Sequence, residues 1–181
     1  IESGFSFEDL SQNASSEVTN QAAALCKADL VTGMVYEFPE LQGIMGGYYA
    51  ALQLGDDKVG NAIRDHYKPL GPNDAIPATS EGRLVALADK MDTLAGFWLI
   101  DELPTGSKDP YALRRASLGI IRMLIEGERR LNLDGFINAA MQNYPASLEN
   151  SSAGEKLRLF FIERLKIYLR DKKDIRPDIV D

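Results

Sequence analysis

The sequence is poor in the residues from which small stabilising and catalytic sites are built. A single cysteine in 181 residues, Cys26, excludes an internal disulfide and fits a reducing compartment such as the cytoplasm. Set among alanines, it reads as a small core residue. A single histidine, His66, leaves Thr105 and Ser107 without a base nearby in the sequence, so nucleophilic catalysis has no support. No apolar run reaches the ~18 residues that a membrane span needs, and no basic-then-apolar leader opens the chain. No alternating pattern of strand length occurs, and no internal repeat is found. Basic residues are outnumbered, 20 Lys and Arg against 27 Asp and Glu, and a net charge of −7 argues against a generic nucleic-acid binder.

With 45% hydrophobic residues, the chain suits one globular domain, or one with an appendage. It begins at Ile1 without methionine and ends in RPDIVD, which carries no stop signal, so a piece of a larger protein is expected. The charge is unevenly spread. Residues 1–104 carry 6 Lys/Arg against 16 Asp/Glu, whereas residues 105–181 carry 14 against 11. Any polyanion should therefore meet the C-terminal half. The competing reading is that these charges simply solvate helix faces.

Helical periodicity dominates. Residues 1–16 are polar and aperiodic, and read as a linker or N-terminal extension. Ser15 or Ser16 should cap a helix running to about Glu37, apolar nearly all round through Val18, Ala22, Leu25, Leu30, Val31 and Met34, and hence buried and central. Pro39 can open the next helix, which carries Leu41, Ile44, Met45, Tyr48 and Leu52 and stops at Gly55. Gly43, Gly46 and Gly47 weaken that helix by about 1 kcal/mol each, and suggest close backbone approach to a neighbour. Asp56 or Asp57 should cap a short helix ended by Pro69, and Ser80 one that runs to about Ile100.

Asp109 and Pro110 fit the cap and first position of a helix reaching about Arg130. An amphipathic segment from Leu133 to Tyr144 follows, and Ser152-x-x-Glu155 reads as a capping box before a last helix. Trp98, Phe97, Tyr48 and Tyr49 lie in apolar company and read as core. The fold class is all-α.

Three helices point titratable groups toward apolar surroundings: Asp29 on the first, His66 on the third, and Asp92 flanked by Asp89 on the fourth. Such groups must be paired, hydrogen-bonded or metal-bound. Ala28-Asp29 is similar to the His-Asp doublet of helical HD-family phosphohydrolases with its histidine replaced, and Asp89 to their distant aspartate. One histidine cannot supply that metal set, so the site reads as degenerate and without metal. The alternatives are a metal-dependent phosphohydrolase centred on Asp29, His66 and Asp89, or a purely structural module.

The loop PTGSKDP should be shaped and exposed next to a helix N-terminus, with Lys108 placed to meet an anion. It is no Walker loop, because the GxxxxGK[ST] spacing is absent. Arg115, Arg122 and Arg129 recur every seven residues, along which a phosphate backbone could lie. The competing reading is i,i+4 pairing, as Arg122 with Glu126. Arg114 and Arg115 at a helix start oppose its dipole, which favours a functional or partner-bound role.

Four blocks carry a family resemblance: KADLVTGMVYEFPELQGIMGGYYA from Lys27 to Ala50, IRDHYKP from Ile63, ADKMDTLAGFW from Ala88, and PTGSKDPYALRRASLG from Pro104. In this order they resemble the beta subunit of bacterial glycyl-tRNA synthetase, over roughly residues 20–125. The sequence departs from that pattern at Gly47, where a basic residue is expected after IMG. The resemblance implies an HD-like multi-helix bundle over residues 17–145, with residues 146–181 a helical extension toward the next domain of the subunit.

It also implies a non-catalytic part of glycine–tRNA ligase that supports binding and charging of glycine tRNA. No cofactor is expected in this region, since ATP and glycine are handled by the alpha subunit. The implied partners are that alpha subunit, glycine tRNA and the remainder of the beta subunit, with no membrane. The residues expected to meet RNA are Lys108, Arg114, Arg115, Arg122 and Arg129; Asp29, His66, Asp89 and Asp92 form the degenerate HD-like site.

Overall fold

The computed structural model describes residues 13–148 and 150–172, and most of the polar N-terminal stretch lies outside them. Among the described residues there are eight α-helices and no strand, only an isolated antiparallel bridge between Thr105 and Lys108. No helix is long and apolar enough to cross a membrane among the residues described. The helices are α1 (Ser16–Leu25), α2 (Gly33–Glu37), α3 (Ile44–Leu54), α4 (Asp57–Asp65), α5 (Ser80–Leu99), α6 (Leu113–Glu126), α7 (Leu133–Met141) and α8 (Ala153–Lys172).

Local chemistry sets most boundaries. The Ser15 hydroxyl accepts from Val18 N to start α1, and Asp56 accepts from Lys58 N to start α4. Thr79, not Ser80, caps α5 by accepting from Gly82 N at 3.0 Å. The start of α6 is three residues later than expected. Ala112, in the left-handed region at φ +56°, separates it from the Asp109-Pro110 pair. Asp109 still caps it, its carboxylate accepting from Leu113 N at 2.8 Å and Arg114 N at 3.0 Å. Before α8 the capping box does not form, because Asn150 takes both the N–H and the hydroxyl of Ser152.

The continuous first helix expected to Glu37 is broken. After Cys26 the chain makes a 3₁₀ turn over Ala28–Val31, and Thr32 then caps the short α2. Nor is this stretch buried all round: only Asp29 and Val35 are enclosed. Val31 is 91% exposed, and Leu30, Met34 and Tyr36 also face solvent. Tyr48, expected in the core, is exposed, whereas Trp98 is fully enclosed.

Helix α5 is the wall shared by two apolar clusters. On one side Leu94 and Trp98 pack with Leu113 and Ile120 of α6, Ile137 of α7, and Leu157 and Phe161 of α8. Residues expected to form an extension after 145 thus contribute to this core. On the other side Val85 packs with Val18 and Ala22 of α1, Ala50 of α3, and Val59 and Ile63 of α4. There α3 and α4 meet backbone to backbone. A Cβ on Gly47 would lie 2.7 Å from the Gly60 carbonyl oxygen, so glycine alone fits without a shift.

Candidate functional site

The ends of α1 and α4 meet α5 at a small polar junction. His66 occupies the C-terminal cap position of α4 and is fully buried. Its Nδ1 faces the Ile63 carbonyl oxygen at 2.5 Å and so carries the proton, which leaves Nε2 as an acceptor. The Lys27 ammonium lies 3.1 Å from that Nε2, 2.8 Å from Asp89 Oδ1, and 4.0 Å above the Tyr67 ring centroid. Burial keeps the His66 pKa below the ordinary imidazole value, and Lys27 adds to this while the Ile63 bond opposes it. Burial is also the strongest single influence against the charge on Lys27, but its bond to Asp89, the Asp89 charge and Tyr67 together outweigh it and raise its pKa.

The other two carboxylates do not join this junction. Asp29 is 2% exposed, and its Oδ2 accepts from Gly43 N at 2.6 Å and Gly46 N at 3.0 Å, which caps α3. Its Oδ1 has no hydrogen-bond partner. Asp92, expected to point toward apolar surroundings, is exposed instead. Its backbone carbonyl accepts from the Tyr144 hydroxyl.

Of the four acidic and imidazole candidates, then, only His66 and Asp89 converge. Among the described residues no three His, Cys, Asp or Glu side chains come together as a metal-binding group. The donors present do not fit the metal centre of an HD-type hydrolase.

Beside the junction, Lys90 is 8% exposed and donates to the Tyr67 carbonyl oxygen at 2.8 Å. Burial lowers its pKa to about 8, with Asp89 opposing. Between pH 8 and 10.5 the unfolded chain holds a proton on this amine that the folded chain has released, so the group makes stability rise with pH across that window. The rise is at most about 3 kcal/mol, since each tenfold change in proton affinity is worth about 1.36 kcal/mol. Urea unfolding at pH 8 and 10 should show it in the parent protein, and Lys90→Met should remove it. An unchanged difference in the variant would assign the rise to other groups.

A cleft of about 470 Å³ opens next to Lys90, lined also by Tyr67, Leu70, Asp89, Tyr111 and Arg115. Another cleft, of about 830 Å³, lies between α7 and α8 and is lined by none of the site residues expected from the sequence.

The five basic candidates separate. Lys108 and Arg115 are exposed. Arg114 braces the loop in front of α6, its guanidinium donating to the carbonyls of Gly106 at 2.8 Å and Lys108 at 3.3 Å. Arg122 is 6% exposed, so it leaves the expected stripe. It donates to both carboxylate oxygens of Glu126, at 2.7 and 3.1 Å, and to the Gly71 carbonyl oxygen at 3.0 Å. Arg129 is half-buried and engaged by other groups of the chain. The seven-residue spacing therefore does not make a continuous basic face.

Two residues escaped the sequence reading. Tyr111, which lies in sequence between the exposed Lys108 and Arg115, is 49% exposed and stacks on Phe97, ring centroids 4.2 Å apart. Lys27 was legible only as one of six Lys and Arg in an acidic half, directly before Ala28-Asp29.

Comparison with known proteins agrees with the sequence blocks. A family profile described as "Glycyl-tRNA synthetase beta subunit" matches residues 6–181. Glycine–tRNA ligase beta subunits from Paracoccus denitrificans and Ruegeria sp. (strain TM1040) are 52% and 49% identical over 169 and 168 residues, each covering 93% of this chain. That of Rhodospirillum centenum is 51% identical over 160 residues, 88% of the chain. The chain spans about a quarter of the length of these relatives, 22 to 23%. It belongs to the glycyl-tRNA synthetase beta subunit family.

Proposed function

We propose that the chain is an HD-like helical region of the beta chain of a two-chain glycine–tRNA ligase, and that it helps to hold glycine tRNA during charging without carrying the chemistry itself. ATP and glycine are then used by the alpha chain, in the cytoplasm. The observation that carries this reading is the loop before α6. Asp109 and Arg114 tie its backbone to the first turn of α6, and Lys108 and Arg115, which flank the exposed Tyr111 in sequence, both face solvent. Two cations and a stacking face on a pre-ordered loop suit a phosphate backbone and an unpaired base.

In the assembled enzyme, Lys108→Ala with Arg115→Ala should raise KM for tRNA roughly fivefold to tenfold. It should also lower the salt slope of binding by about 2, one per lost phosphate contact. Glycine-dependent ATP turnover in the absence of tRNA should be unchanged. Unaltered charging kinetics in a folded double variant would remove the reading.

Val31, Tyr36 and Leu52 favour a second role alongside it, since apolar side chains this exposed suit docking against the remainder of the subunit. If docking were the whole role, the same double variant would alter assembly and leave tRNA affinity alone.

A further inference from the structure

We propose that the Lys27 ammonium is a tethered cation that fills the seat a metal ion takes in HD-type enzymes, so that this region binds no divalent metal at His66 and Asp89. The proposal does not depend on the tRNA reading. Lys27 Nζ touches the same two donors that an ion would need, Asp89 Oδ1 at 2.8 Å and His66 Nε2 at 3.1 Å. His66 is oriented as a ligating histidine is oriented: its Nδ1–H is held by a backbone carbonyl, which aims the Nε2 lone pair at the cation. The Tyr67 ring closes another side at 4.0 Å, a contact suited to an ammonium.

Charge balance agrees. One ammonium neutralises one carboxylate beside a neutral imidazole, whereas a divalent ion would leave an excess positive charge there. Of the other carboxylates of the HD-like set, Asp29 is committed to the N-terminus of α3 and Asp92 faces solvent. Two donors make an incomplete shell for zinc, which takes at least three protein ligands. Substituting the tether with a ligand should therefore restore a site. A histidine plus a metal bond of ~2.1 Å has about the reach of an extended lysine.

The test uses the full-length beta subunit, stripped with chelator and titrated with Co²⁺ and Zn²⁺. The parent should show no visible Co²⁺ absorption assignable to His66, and a further His66→Gln change should alter nothing. Lys27→His should bind one ion per chain at least tenfold more tightly than the parent, and His66→Gln should abolish that gain. Lys27→Met, similar in length but without charge or lone pair, should bind none. One ion per parent chain, lost on His66→Gln, would overturn the proposal. So would a cooperatively unfolding Lys27→His variant that gains no affinity. If Lys27→His fails to fold, the parent titration decides alone.

Discussion

Asp29→Ala is expected to destabilise the protein by about 3–4 kcal/mol. Two backbone donors, Gly43 N and Gly46 N, would lose a buried anionic acceptor at the start of α3. Charge-assisted bonds of this kind contribute about 1.5–3 kcal/mol each, and the stranded donors add a desolvation cost. The helix dipole adds to the loss, since the carboxylate lies at the positive end.

Asp29→Asn keeps an oxygen in place and should lose less than half as much. Urea unfolding gives the readout, as a lower midpoint with an unchanged slope. A loss below about 1 kcal/mol for the alanine variant, less than one charged hydrogen bond, would show that water or a shifted loop replaces the cap.

The second large effect concerns Arg122. Arg122→Ala should cost about 2 kcal/mol and leave tRNA affinity unchanged; the guanidinium is buried but its Glu126 partner is exposed, so the loss falls short of the range for a fully buried charge pair. Its guanidinium joins α6 to the Gly71 turn and pairs with Glu126, whose Oε1 also accepts from the Tyr168 hydroxyl of α8. Removing it takes the charged partner from Glu126 and the side-chain donor from the Gly71 carbonyl, and leaves a void where the buried guanidinium was. Arg115→Ala should behave in the opposite way, weakening tRNA binding with little change in midpoint. Equal effects of the two changes on both measurements would mean that the division between bracing and presenting arginines is wrong.

These two residues show where sequence reasoning reached and where it stopped. The helices with strong local caps were legible, because Ser15, Asp56 and Asp109 act on donors within five residues. The break after Cys26 was not. Neither proline nor glycine interrupts residues 26–32, and the apolar pattern continues through them. What breaks the helix is a contact across 14 residues, Asp29 with Gly43, helped by Thr32, whose hydroxyl donates to the Asp29 carbonyl. Periodicity carries no record of either.

Arg122 was ambiguous for a related reason. Its seven-residue spacing from Arg115 and Arg129 suits an exposed face, while its four-residue spacing to Glu126 suits an ion pair, and only the Gly71 turn behind it decides between them. At the candidate site, His66 and Asp89 were found as isolated polar groups on apolar faces. The cation between them comes from a third segment, 39 residues before His66, which no local pattern links to it.

The turn after α1 has one more consequence. Lys27 and Asp29 are separated by Ala28 alone, yet they serve different neighbours, the ammonium reaching toward α4 and α5 and the carboxylate toward α3. Adding or deleting one residue there would turn one charge by about 120° relative to the other, so that both could not keep their partners. Chain length at this bend is thus under the same constraint as side-chain identity, even though Ala28 itself faces solvent.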